Sequence, residues 1–250
     1  MSNKKYVIGN WKALPNSQAE VDQILDFLSE HLPSGDTETS IVVCPPFVYL
    51  EEVSKILATT SLGTRVELGA QDIALSDEPS QTGEVTGEQL ARLGVRYVII
   101  GHSDRRWKLG ESDEITNAKL RMALQHNLTP IVCIGERVRE GNFGKDIIDQ
   151  IDATFAGASS DQIQSCVIAY EPVWAISTNP GAKPDTPESA QQSIQIIRDH
   201  LKSDIRMLYG GSVNPKNAEA FLGLPNASGV LVGGASVRPE DFLQIIRAAM

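Results

Sequence analysis

Three residues of the kinds that move protons or hold charge stand just past short apolar runs: Lys12, His102 and Glu171. Glu171 closes the run Val167-Ile168-Ala169-Tyr170 and is followed at once by Pro172-Val173-Trp174-Ala175. A strand buried on both faces reads as a continuous run of this kind, so a carboxylate at its end stands where the sheet stops and a pocket can begin. Pro172 donates no sheet hydrogen bond and pushes Glu171 toward an extended conformation, so strand gives way to loop immediately after the acid. A general base belongs in such a place. Taken alone, the same carboxylate reads equally well as a structural partner of an arginine or lysine. Lys12 alone is an ordinary solvated loop lysine, and His102 alone a hydrogen-bonded structural histidine.

What surrounds these residues argues for chemistry. The first apolar run is followed by Gly9-Asn10-Trp11-Lys12, the fourth by Gly101-His102-Ser103-Asp104-Arg105-Arg106 and the sixth by Glu171. The seventh leads into Gly210-Gly211-Ser212 and the eighth into Gly233-Gly234-Ala235-Ser236. Independent surface choices would not keep selecting strand ends. His31, His126 and His200 provide the contrast, since they fall near helix C-termini, where the helix dipole gives a histidine a structural reason. Paired glycines let backbone N–H groups approach an anion, and in an eight-stranded barrel the segments after strands seven and eight are the usual phosphate site. A helix N-terminus beyond Gly233-Gly234 would add its positive end. A monophosphate is the expected ligand. No H-E-x-x-H and no tight His/Cys spacing occurs, so no metal and no cofactor is expected and the side chains act alone. A carboxylate base, an imidazole and an ammonium around a small phosphate suit proton removal beside a carbonyl.

Parallel strands would position these groups. Eight short apolar runs, Tyr6-Val7-Ile8, Ile41 to Cys44, Val66-Glu67-Leu68, Tyr97 to Ile100, Ile131 to Ile134, Val167 to Tyr170, Met207-Leu208-Tyr209 and Val230-Leu231-Val232, alternate with segments of helical period. Val21, Ile24, Leu25 and Leu28 mark one helix stripe, and Ala190, Ile194, Ile197 and Leu201 another. Ser17-x-x-Glu20 and Thr86-x-x-Gln89 read as capping boxes, and Thr186-Pro187, Asn214-Pro215 and Arg238-Pro239 put proline in a first helical turn. Alternation of this kind implies right-handed crossovers between parallel strands, and eight units close into an α/β fold of the (β/α)8 barrel type. The open doubly wound alternative lacks its dinucleotide fingerprint, because no two of the 20 glycines lie two positions apart. No linker or composition break divides the chain, so residues 1–250 are expected to form one barrel domain.

Composition narrows the partners. Lys+Arg 22 against Asp+Glu 32 gives a formal charge of −10, which argues against nucleic acid or an anionic membrane surface. Cys44, Cys133 and Cys166 all lie in apolar runs without framework spacing, so buried, reduced thiols in a cytoplasmic protein are expected. Met1-Ser2-Asn3-Lys4-Lys5 leads straight into the first run, and no apolar stretch approaches the ~18 residues of a membrane span.

Taken together, Gly9-Asn10-Trp11-Lys12, Gly101 to Arg106, Ala169 to Ile176, Tyr209-Gly210-Gly211-Ser212-Val213 and Gly229 to Ser236 closely resemble the signatures of triosephosphate isomerases. The resemblance covers the whole chain. It implies interconversion of dihydroxyacetone phosphate and D-glyceraldehyde 3-phosphate through an enediolate, in glycolysis and gluconeogenesis. It also implies Glu171 as the base, His102 as the electrophile and Lys12 as the stabilising cation. Asn10, Lys12, Ser177, Ser212, Gly233 and Gly234 would hold the substrate, and the segment 172–186 would be a lid. Two departures stand out. Asp104 replaces the family's usual Glu, so its contact with Lys12 is expected to be longer or water-bridged. The lid Ala175 to Thr186 is three residues longer than the family pattern, with Ser177 and Asn179 in place of glycines and two added prolines. The segment 69–87 resembles the family's loop that reaches into a neighbouring subunit, which implies a homodimer, although Gln81 stands where an aromatic is common. The rival readings are a phosphosugar-binding protein that has lost turnover and another sugar-phosphate barrel enzyme. An aldolase would need a Schiff-base lysine inside the barrel, whereas Lys12 lies past a strand end.

Overall fold

The computed structural model describes residues 4–33, 35 and 38–250. Met1, Ser2 and Asn3, the start of the expected lead into the first strand, lie outside the described residues. The strands are β1 (Lys5–Asn10), β2 (Thr39–Cys44), β3 (Val66–Ala70), β4 (Tyr97–Ile100), β5 (Thr129–Ile134), β6 (Val167–Tyr170), β7 (Arg206–Tyr209) and β8 (Gly229–Val232). All are parallel to their neighbours, and β1 pairs with both β2 and β8, so the sheet closes into a barrel in sequence order. The helices are α1 (Gln18–His31), α2 (Phe47–Thr59), α3 (Gly87–Arg92), α4 (Asp113–Gln125), α5 (Phe143–Thr154), α6 (Ser160–Ser165), α7 (Pro187–Leu201), α8 (Ala218–Leu222) and α9 (Pro239–Ala249). The expected (β/α)8 barrel is therefore the observed fold.

Alternate strand residues face two different cores. Tyr6, Ile8, Val42, Cys44, Ile99, Ile131, Cys133, Ala169, Leu208 and Leu231 pack inside the barrel. Val7, Val43, Val98, Val132, Ile168 and Val230 face outward onto the helices, which is why the runs are apolar without alternation. The expected stripes are the buried faces: Val21, Ile24, Leu25 and Leu28 on α1, and Ala190, Ile194 and Ile197 on α7. On α9, Phe242, Ile245 and Ile246 are fully buried, and each such side chain contributes about 1.5–3 kcal/mol of transfer free energy. All three cysteines are buried and unpaired, as expected.

The start signals held unequally. Thr86 and Gln89 form a complete capping box at α3, whereas Ser17 caps α1 through the Glu20 N–H while the Glu20 carboxylate turns to the N–H of Asn16. Pro187 and Pro239 open α7 and α9. Pro215 does not open α8: Asn214 and Asn217 instead bond each other across a turn, Asn217 Oδ1 accepting from the Asn214 N–H at 2.8 Å, and the helix begins at Ala218. Among the described residues, no helix is long and apolar enough to cross a membrane.

Register fixes which residues reach the mouth together. Ile134, Tyr170 and Tyr209 are paired across β5, β6 and β7, so the next residues, Gly135, Glu171 and Gly210, emerge at one level. Gly9 is paired with both Val43 and Val232, so Asn10 and Gly233 emerge side by side.

Candidate active site

A cavity of about 480 Å³ opens at the C-terminal ends of the strands, and Asn10, Lys12, His102, Glu171, Ser177, Ser212, Gly233 and Gly234 all line it. These are the eight residues singled out from the sequence, brought together from five strand ends.

Glu171 is 3 % exposed and held from two sides. The N–H and the hydroxyl of Ser103 donate to its carboxylate at 2.8 and 2.9 Å, and His102 Nε2 lies 3.0 Å from Oε1. Burial would raise its pKa, but His102, the Ser103 N–H and Lys12 together outweigh burial and hold the carboxyl below its ordinary value of 4.5. His102 itself is buried, and its Nδ1 accepts the Asp104 N–H at 3.0 Å. This network assigns the proton of a neutral ring to Nε2, the nitrogen that faces Glu171.

Lys12 occupies a left-handed backbone conformation, φ 55°, uncommon for a residue with a side chain. Three contacts hold it there. Its N–H donates to Asn10 Oδ1 at 3.1 Å, its carbonyl accepts from Gln71 Nε2 at 2.8 Å, and its ammonium meets Asp104 Oδ2 at 2.8 Å. The expected long or water-bridged contact to Asp104 is thus corrected: the shorter acid reaches the ammonium directly. Asp104 opens a π-helical turn, Asp104–Lys108. Lys108 Nζ takes the other carboxylate oxygen at 2.6 Å. Although its half-burial would raise the Asp104 pKa, the hydrogen bonds from Lys108 and Lys12 and the Lys12 charge hold it well below the usual carboxylate range.

Beyond Glu171 the segment 172–186 starts with a 3-10 turn, Val173–Ala175. Glu136, fully buried, anchors this turn by accepting from Trp174 Nε1 and Tyr170 Oη, each at 2.9 Å. The Ser177 N–H donates to Ser212 Oγ at 2.8 Å, and that hydroxyl donates to the Ala175 carbonyl at 3.1 Å. The glycines differ in what they leave open. A Cβ on Gly135 would lie 1.9 Å from the Glu171 carbonyl oxygen, whereas one on Gly234 would meet nothing within 4 Å. Packing demands the first; the second bares a turn toward the cavity.

Ser103, Gln71, Gly135 and Glu136 support the site without having been singled out. Gln71 and Gly135 directly follow β3 and β5, so strand ends alone pointed to them. Ser103 and Glu136 owe their importance to a partner distant in sequence. His31, His126 and His200 stay away from the cavity; His126 meets Asp77 at 2.8 Å and His200 meets Asp152 at 2.6 Å. Among the described residues, no group of three or more His, Cys, Asp or Glu is arranged to hold a metal ion.

A closed parallel barrel with a carboxylate, an imidazole and an ammonium converging on one mouth defines an acid–base enzyme of the (β/α)8 class. The family model described as triosephosphate isomerase matches residues 5–249. The chain is 44 % identical to the triosephosphate isomerase of Symbiobacterium thermophilum, over 97 % of this chain and 96 % of the relative. It is 40 % identical to that of Rhodopirellula baltica, over 100 % and 99 %, and 41 % identical to that of Picosynechococcus sp., over 97 % and 98 %. The chain belongs to the triosephosphate isomerase family. It is an isomerase, and the reaction is the interconversion of dihydroxyacetone phosphate and D-glyceraldehyde 3-phosphate.

Proposed function

We propose that Glu171, His102 and Lys12 perform this isomerisation as base, electrophile and stabilising cation, within one domain of residues 1–250. Glu171 takes the proton from the carbon beside the carbonyl and returns it to the neighbouring carbon. His102 donates its Nε2–H to the oxygen that gains charge, and the family is itself the type case of a carboxylate base paired with a neutral imidazole. Lys12 stabilises the enediolate and the phosphate; Asn10 holds the Lys12 turn and the substrate oxygens. Backbone groups of Ser177, Ser212, Gly233 and Gly234 take the phosphate. Fixed donors in a cavity closed to water favour the enediolate over the ketone, which accelerates the step because the charge develops there. No metal or cofactor takes part.

In the observed position Glu171 is committed to Ser103. It immediately precedes Pro172, so closure of the lid 172–186 over the phosphate carries the carboxylate from Ser103 toward the substrate. The observation that carries this reading is the convergence of all eight residues on one cavity. Turnover of either triose phosphate in D2O tests it. Deuterium exchange into the carbon-bound position that is lost in Glu171→Gln supports proton transfer through Glu171; exchange that continues undiminished in that variant would contradict it.

The protein acts as a homodimer in the cytoplasm, in glycolysis and gluconeogenesis, without nucleic-acid or membrane partners. Dimerisation through the 69–87 loop is supported by its exposed tip and by exposed Leu14, Phe47, Val48 and Leu75. Gln71, at the base of that loop, also bonds the carbonyls of Lys12 and Cys44, so the contact surface and the catalytic lysine share one support. The three buried free thiols and the charge of −10 favour a reducing compartment and no polyanionic partner. Light scattering that gives a monomer mass at micromolar concentration would overturn the dimer.

A further inference from the structure

Arg238 lines the same cavity as Lys12, Gly233 and Gly234. Its Nη1 donates to the Gly234 carbonyl at 3.0 Å, and its Nε to Asp241. The Gly233 carbonyl is taken by the N–H and hydroxyl of Ser236 at 2.8 and 2.7 Å. Both carbonyls of the glycine pair are thus engaged by protein donors, and because a peptide unit is rigid and planar this fixes both planes. Among the described residues, Arg238 Nη2 has no hydrogen-bond partner, which leaves its two N–H donors for a ligand.

By local rules an arginine is poorly suited to this position. Arg238 is the N-cap of α9, directly before Pro239, and makes no side-chain cap bond. N-caps favour short side chains that accept hydrogen bonds, and a cation at a helix N-terminus faces the positive end of the dipole. Glu240 and Asp241 in the first turn offset part of that cost. A residue that local structure disfavours and its neighbours compensate is expected where function requires it. A planar guanidinium is also the side chain best matched to phosphate oxygens.

We infer that Arg238 sets the affinity of this site for the phosphate dianion, as a positioning residue that fixes the Gly234 peptide and presents a guanidinium at the phosphate end of the cavity. The inference rests on reading Gly233-Gly234 as the phosphate cradle. Arg238→Ser separates the local from the functional demand, because serine is a favoured N-cap. The variant is expected to melt at or above the wild-type temperature. Its Ki for inorganic phosphate and its KM for D-glyceraldehyde 3-phosphate are expected to rise together, roughly three- to tenfold for one lost charge-bearing contact. Arg238→Lys, which keeps the charge without the fork, is expected to recover part of that loss. An unchanged Ki in Arg238→Ser, with wild type inhibited normally, would overturn the inference alone. Absence of competitive inhibition by inorganic phosphate in the wild type would overturn the cradle reading and the inference with it.

Discussion

The Asp104 backbone N–H donates to His102 Nδ1 at 3.0 Å, and this bond decides which nitrogen of the imidazole carries the proton. With Nδ1 accepting, Nε2–H is left to face Glu171 and the cavity. Asp104 thereby supports two of the proposed catalytic groups at once, since its carboxylate also holds the Lys12 ammonium at 2.8 Å.

Nitrogen-15 NMR of the neutral His102 ring is expected to give a protonated Nε2 and an unprotonated Nδ1. His102→Gln is expected to lose roughly 10²–10⁴-fold in kcat, the usual contribution of a positioned proton donor. A ring carrying its proton on Nδ1 would contradict the assigned role.

The same dual support makes Asp104→Glu a step down. The direct Lys12 contact leaves no gap for a longer acid to fill, so kcat/KM is expected to stay at or below wild type. A clear gain would mean that the shorter acid holds Lys12 poorly.

Ser103 helps to hold Glu171 in its charged form. Burial raises the Glu171 pKa, while His102, the Ser103 N–H and Lys12 lower it further than burial lifts it, so it ionises below 4.5. The folded value is depressed below the ordinary 4.5. The carboxylate therefore contributes stability that is fully present above that pH and is lost as pH falls through the folded pKa, and the proposed base is protonated over the same window. Ser103→Ala removes the hydroxyl donor, at 2.9 Å, from the charged form. A carbon-13 titration of the Glu171 carboxyl in the free enzyme is expected to move upward in this variant. An unmoved titration would show that the hydroxyl does not stabilise the charged form.

Two glycines separate packing from ligand approach. Gly135→Ala would drive a Cβ to 1.9 Å from the Glu171 carbonyl oxygen. Backbone must shift, at a cost of roughly 1–3 kcal/mol, and the shift displaces the base, so both Tm and kcat are expected to fall. Gly234→Ala meets nothing within 4 Å and is expected to keep its stability within about 0.5 kcal/mol while binding inorganic phosphate more weakly. Equal stabilities for the two variants, measured by urea unfolding, would refute the distinction.

The barrel and the positions of Lys12, His102 and Glu171 were legible in the sequence because strand ends are marked by where apolar runs stop, and a closed parallel sheet brings those ends to one mouth. Contacts set by folded geometry were not. The direct contact of Asp104 with Lys12 joins residues 92 positions apart. Ser103 acts on a residue 68 positions away. Arg238 reads as a flaw in a helix start until the Gly234 carbonyl is found beside it. Pro215 misled because proline in a first helical turn and proline in a preceding turn share one local signal, and the pairing of Asn214 with Asn217 chose between them.

The Glu171→Gln variant isolates the proton transfer, through turnover of D-glyceraldehyde 3-phosphate measured beside the Kd of a non-reacting phosphate-bearing analogue. An amide is close in shape to the carboxylate but cannot take a proton. Proton transfer by Glu171 requires kcat to fall by orders of magnitude while Kd stays near that of wild type; turnover that survives the exchange would contradict it.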